Sequence, residues 1–368
     1  MQCLYLTIVL SAWTCMVIYG YPIIRNPSNT FISSYHCNVG YFVYALCLYT
    51  FYRACTVPAG NLTESTLERY DNYKYDNVLY VPRICKTLSF RKVARSKFDR
   101  ATNKHVPRFD HFCVWLNQPI GEENYRDFLL FLIVHCGMLC YGSYASGKAL
   151  WFVVKHEGLL RVKFVNRATG KTVAGSPLVI FRYMAHSHAA IICLLVLSSI
   201  MGLVMIIFTL FHLWLCGRGM TTNEYFKWRD IWSWHKDATK KYEKAKVEGN
   251  AGERWTRKGK DYETLGVWEE MVEEEEEEEV GCTGVKKGWG ERGGGEEKEG
   301  GGENENGEEK EGKEKKVRVE DPGPLPKNIY NRGVYGNFHE VLFPRSLRME
   351  AESNNKNGGK TKKKKKLA

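Results

Sequence analysis

Four apolar stretches, near residues 3–24, 36–54, 128–147 and 187–216, reach or approach the ~20 helical residues needed to cross a hydrocarbon core. In lipid every backbone polar group must find its partner within the segment, so stretches of this kind confine the chain to helices. The sequence therefore predicts an all-α polytopic membrane protein with four transmembrane helices. A leader peptide is the other reading of the first stretch. Met1-Gln2 offers no positive n-region, however, and no small-residue cleavage site precedes Pro22, so a retained span is expected.

Charge sets the orientation. Between spans 2 and 3, residues 55–127 carry a dense series of bases running from Arg83 to Arg108, which marks the loop as cytosolic. Four spans place both termini on the same side. The loop at 155–186 is also basic, but its alternation around Leu160, Val162 and Phe164, with Thr169-Gly170 as a turn, predicts a small hairpin, placed on the opposite side. The formal net charge of +11 fits an anionic membrane surface, whereas nucleic acid is excluded by the lack of any recognition module. The 12 cysteines include no C-x-x-C pair, so reduced thiols are expected and no disulfide framework.

The predicted organisation is a hairpin of spans 1 and 2 (1–54), a cytosolic loop domain (55–127), spans 3 and 4 (128–216) and a short segment at 217–244. A charged low-complexity insert (245–325), with its glutamate run at 273–279, buries too little apolar surface to offset chain entropy and is expected to be disordered. A further short motif lies at 326–348. The tail at 349–368 ends in the basic run Lys362 to Lys366, suited to anionic lipid.

Chemistry concentrates in Ala94-Arg-Ser-Lys97 and Arg108-Phe-Asp-His-Phe-Cys113, followed by Trp115, Asn117, Ile120-Gly121 and Asn124. An acid, an imidazole and a thiol stand within four residues at a membrane edge. His111 can take the thiol proton of Cys113, and Asp110 can fix the imidazole tautomer.

These residues resemble the DHHC palmitoyltransferases, whose cytosolic loop lies between the second and third of four spans. Thr221-Thr222-Asn-Glu224 is similar to the Thr-Thr-x-Glu motif of that family. Asn328, Tyr330, Gly333 and Asn337 are similar to its C-terminal Asn-Pro-Tyr-type motif, with Ile329 in place of proline. The resemblance implies a protein S-acyltransferase: Cys113 takes a long-chain acyl group from acyl-CoA, the co-substrate, and passes it to a cysteine of a membrane-associated protein. It assigns His111 as general base and Asp110 as its orienting partner. Arg95, Lys97 and Arg108 are the candidate bases for the CoA phosphates. An endomembrane address, endoplasmic reticulum or Golgi, with the active site facing the cytosol, follows from the same resemblance. The alternative is an inactive scaffold or acyl-CoA-binding protein; a transporter is disfavoured by the lack of paired intramembrane charges.

The family holds two structural zinc ions in this loop, each through three cysteines and one histidine. Aligned on Cys113, those positions read Cys85, Leu88, Phe98 and His105 for one ion, and Asp99, Thr102, Phe112 and Pro119 for the other. Cys85 and His105 remain as a remnant, so no zinc is expected. Leu88, Phe98 and Phe112 are expected to fill the vacated positions with apolar side chains.

Overall fold

The first apolar stretch forms one rod in three pieces: α1 (Gln2–Cys15), a π-helical turn (Met16–Gly20) and α2 (Tyr21–Ile24). The wide turn sits just ahead of Pro22, which lacks an N–H and crowds the carbonyl four residues back. The computed structural model describes residues 1–85, 87–165, 170–254 and 318–344. Helix α3 (His36–Thr56) follows, then a short α4 (Leu67–Tyr70). The loop continues into two antiparallel hairpins, β1 (Lys97–Asp99) with β2 (Lys104–Val106) and β3 (His111–Cys113) with β4 (Gln118–Ile120).

Helix α5 (Tyr125–His156) has 32 residues, starting earlier and running further than its apolar stretch. At ~1.5 Å per residue it is about 48 Å long, more than the ~30 Å hydrocarbon core, so its ends project. Lys148 and Lys155 are accommodated over the rings of Tyr144 and Trp151, at 5.8 and 4.9 Å. Beyond it come β5 (Lys163–Val165) paired with β6 (Thr172–Ala174), then α6 (Pro177–Ser187) and α7 (Ala189–Gly217). The hairpin read around Phe164 is therefore present; Thr169 of its turn lies outside the described residues.

Among the described residues three helical segments are long and apolar enough to cross a membrane: Gln2–Ile24, Tyr125–His156 and Ala189–Gly217. The second expected span, α3, has 21 residues but carries His36, Asn38, Arg53 and four tyrosines, so it matches in length and not in apolar character.

By its contacts the chain divides into two units, Met1–Trp228 with Asn328–Ala368, and Arg229–Lys327. Helix α8 (Thr222–Val247) starts in the first. In the second, β7 (Ala251–Arg254) pairs in parallel with β8 (Val319–Asp321), and His235 hydrogen-bonds the Gly323 carbonyl at 2.9 Å. The insert expected to be disordered over 245–325 is thus ordered at both edges; its middle, 255–317, lies outside the described residues, as does the basic tail. The last helix of the first unit is α9 (Gly333–Leu342).

The first unit is pinned by Arg95, whose side chain is fully buried. Its guanidinium donates two bonds of 2.7 Å to the two oxygens of Glu224, and others to Glu340 (3.1 Å) and the Gly219 carbonyl (3.1 Å). The rings of Tyr73 and Tyr330, set edge-on to each other, lie 4.9 and 4.7 Å from its central carbon. Arg108, also buried, pairs with Glu340 at 3.1 Å. The C-terminal motif works beside it. Asn337 donates to the Gly217 carbonyl and Asn328 to that of Arg218, at 3.0 and 3.2 Å. With Arg95 on Gly219, three successive carbonyls at the end of α7, which helix geometry leaves without partners, each receive a side-chain donor.

Truncation of Arg95 leaves two carboxylates buried beside a single remaining guanidinium. Arg95→Ala is expected to cost about 3–5 kcal/mol, seen as loss of the monodisperse peak in detergent size-exclusion chromatography.

Candidate active site

Strand β3 is three residues long, and alternate residues of a strand face the same way. His111 and Cys113 therefore share one face, while Phe112 turns to the other and stands opposite Pro119 in the β3–β4 register. The hairpin is stapled to its neighbours by amides. Gln118 donates to the Ala54 carbonyl at the end of α3. Asn124, at the start of α5, accepts from the Gly121 N–H (2.9 Å) and donates to the carbonyls of Pro119 (3.0 Å) and Val57 (3.3 Å).

Asp110 and His111 lie 2.6 Å apart, carboxylate Oδ2 to imidazole Nδ1, and Cys113 stands on the same face of β3 as His111. The Asp110 carboxylate is buried and fully used: Oδ1 accepts from the Thr222 N–H at 2.7 Å, and Oδ2 from the Thr222 hydroxyl at 2.9 Å. Thr222 opens α8, so the carboxylate sits at a helix N-terminus, where the dipole favours negative charge. Thr221 and Glu224 form a reciprocal capping box. The Thr221 N–H donates to the Glu224 carboxylate (2.9 Å) and the Glu224 N–H to the Thr221 hydroxyl (3.2 Å). One motif thus caps α8, grips Asp110 through Thr222 and anchors Arg95 through Glu224.

Burial opposes charge on both members of the pair, yet each holds it. Against its burial, the hydrogen bond and charge of His111, with Thr222, keep the Asp110 carboxyl below the usual carboxylate value. Against the desolvation of His111, the interactions with Asp110 and Cys113 raise its imidazole to about 9. A proton moved from the thiol to His111 is stabilised from both sides.

Cys113 is 8% exposed and lines the wall of a cavity of about 710 Å³ between α1, α3, α5 and α7. His111, Phe128, Leu132, Met138 and Met205 line it with Cys113. Along α5 the lining runs from Phe128 to Ser146, about 27 Å at the helical rise. His135, inside the third apolar stretch, also faces the cavity; its imidazole bonds the Phe131 carbonyl and the Tyr5 hydroxyl, tying α5 to α1.

Residues 80–229 match the model of the DHHC palmitoyltransferase family. Those residues, from the loop through α5 and α7 to the start of α8, are similar to that family. It is 32% identical over 190 residues to palmitoyltransferase SWF1 of Yarrowia lipolytica, covering 51% of this chain and 48% of that protein. It is 32% identical over 162 residues to SWF1 of Saccharomyces cerevisiae, covering 44% and 39%. With palmitoyltransferase ZDHHC4 of Mus musculus it shares 28% over 198 residues, 53% and 56%. The chain thus spans about half the length, or less, of the relatives it matches.

The residues at the zinc positions of the family make contacts of their own. Phe98 and His105 oppose each other across β1 and β2, and the Phe90 ring lies 5.6 Å from His105. Asp99 is taken by the backbone and hydroxyl of Thr102. Leu88, expected to fill a ligand position, is instead exposed, so that part of the apolar-plug reading does not hold. Cys85 and His105 are both buried, and neither ring nitrogen of His105 has a hydrogen-bond partner, but two donors do not close a tetrahedron. Among the described residues no group of three or more His, Cys, Asp or Glu side chains is placed to hold a metal ion.

The reading of Arg95 and Arg108 as phosphate-binding bases is also corrected. Both are buried and held by carboxylates, out of reach of a ligand arriving from solvent. Lys97 remains half-buried, 5.9 Å from the Phe109 ring. Sequence reasoning missed Glu340, Tyr73 and His212, whose ring lies 5.8 Å from that of His111. The capping-box spacing Thr-x-x-Glu did carry a local signal, which predicts a helix starting at Thr222.

The raised imidazole gives a stability dependence on pH with a definite sign. Its proton is held more tightly folded (about 9) than unfolded (6.5). The contribution is therefore complete below pH 6.5 and lost as pH rises through 9, on the order of 3 kcal/mol in all. Thermal unfolding in detergent should show the melting temperature falling between pH 7 and pH 10. Asp110→Asn should flatten that slope.

Proposed function

We propose that this chain is a protein S-acyltransferase in which Cys113 carries the acyl group. The observation that supports it is the position of His111 and Cys113 on the wall of the apolar cavity between the helices, with Asp110 held behind His111. His111 receives the thiol proton and Asp110 holds the imidazolium. The thiolate attacks the thioester carbon of a long-chain acyl-CoA; the acyl–sulfur bond to CoA breaks, the CoA thiolate leaves and takes the proton from His111. A cysteine of a membrane-associated protein then attacks the Cys113 thioester by the same route, with His111 again as base.

The acyl chain occupies the cavity, where each methylene removed from water contributes about 0.8 kcal/mol. On this reading α3 is the fourth crossing, and the loop with Cys113 faces the cytosol of an endoplasmic reticulum or Golgi membrane. Metal is replaced in the loop by the Phe98–His105 and Phe112–Pro119 pairings and the Asp99–Thr102 clasp. These contacts need no cation, and the loop is tied at both ends to α3 and α5.

Full-length protein in membranes, fed a clickable palmitate analogue, should acquire a hydroxylamine-sensitive label. Cys113→Ser should abolish it, and His111→Ala should lower it by about 10²-fold or more. A folded wild type that takes no label, or a label that persists in Cys113→Ser, replaces this reading with that of a non-catalytic scaffold.

Elemental analysis of the same purified protein should find zinc well below one ion per chain, and a strong chelator should leave labelling unchanged. Stoichiometric zinc, with labelling lost on chelation, would show that the loop does depend on metal.

A further inference from the structure

The connection from α5 to α7 carries more apolar surface than a solvated loop of its size sustains. Strands β5 and β6 have three residues each, and none of the six is buried. A two-stranded hairpin of this length is marginal in water. Yet Leu160, Val162, Val165, Val173, Leu178 and Phe181 are between 42% and 62% exposed, and all lie outside the apolar helices. Helix α6 is amphipathic with both sides apolar in part. Ile180 and Met184 pack inward against Leu150, Val153 and Ile191, whereas Leu178 and Phe181 point away from that cluster.

Bases are interleaved with this surface. Arg161, Lys163, Lys171 and Arg182 are all exposed, against Glu157, whose carboxylate is engaged by the Tyr183 hydroxyl at 3.1 Å. The segment joins two helices long and apolar enough to cross the membrane, α5 ending at His156 and α7 starting at Ala189. Apolar side chains beside snorkelling bases, at the end of two spans, suit the headgroup layer of a bilayer. A second copy of the chain fits less well, because like charges would be brought face to face.

We propose that the β5–β6 hairpin and α6 form an interfacial anchor that inserts Leu178 and Phe181 into the membrane and binds anionic phospholipid headgroups through Arg161, Lys163, Lys171 and Arg182. The anchor is separated from Cys113 by the length of α5 and is independent of the acyl-transfer reading. It requires only that α5 and α7 cross the bilayer.

Full-length protein with Phe181 replaced by the photo-crosslinker p-benzoylphenylalanine is reconstituted in nanodiscs of phosphatidylcholine, alone or mixed with phosphatidylserine, and irradiated. Intact mass spectrometry should show a phospholipid adduct in both. With phosphatidylserine present, its adduct should exceed its share of the lipid roughly threefold or more. Combined Arg161→Glu, Lys163→Glu, Lys171→Glu and Arg182→Glu changes should remove the enrichment and keep the phosphatidylcholine adduct, which also reports that the hairpin is still folded. Cross-linking to a second chain, or no lipid adduct in wild-type charge background, overturns the anchor. An adduct that simply follows lipid composition overturns the headgroup site.

Discussion

The Arg95–Glu224 pair is the contact from which the site is built. Its two bonds of 2.7 Å join the loop to the first turn of α8, and Glu340 adds a third segment from near the far end of the described chain. The cluster balances, with Arg95 and Arg108 against Glu224 and Glu340, so no net charge is buried. Such a cluster contributes little to stability compared with an apolar core of equal volume. Its effect is positional: bidentate geometry fixes Glu224, and Glu224 fixes the start of α8. Thr222 is thereby set against Asp110, Asp110 against His111, and His111 against Cys113. Each link is short and directional, so a displacement of α8 reaches the thiol in three steps.

That chain of contacts also explains how a loop with few metal-type donors keeps a defined shape. In a family that uses zinc, the ion joins strands that are too short to hold one another. Here β1 through β4 are equally short, and the joins are made at their margins by the side chains of Gln118, on Ala54, and Asn124, on Pro119 and Val57, and by a backbone bridge of Leu62 to His105. A single bond of this kind contributes only about 1 kcal/mol net.

Much of this was legible in the sequence, for reasons that can be named. Hydropathy located Gln2–Ile24, Tyr125–His156 and Ala189–Gly217 because burial in lipid selects composition directly. The His111-x-Cys113 spacing was readable because strand alternation places the pair on one face. The role of Arg95 was not. A base in a cytosolic loop reads as surface charge, and its partner Glu340 stands 245 positions away, beyond a low-complexity insert. Leu88 was misplaced for a related reason: occupying a ligand position in an alignment does not by itself make an apolar side chain turn inward.

Placing the thiol in the wall of the apolar cavity has a chemical consequence for the proposed reaction. A thioester on Cys113 stands where 8% of the residue reaches solvent and the surrounding surface is Phe128, Leu132 and Met205, so little water is available for hydrolysis. The same geometry restricts the acceptor. A cysteine reaches the thioester only from the loop side, because the cavity wall and the membrane close the other approaches. On the proposed reaction, selectivity for membrane-proximal cysteines follows from where the nucleophile sits, beside Val114 and Trp115, which are exposed and line the same cavity.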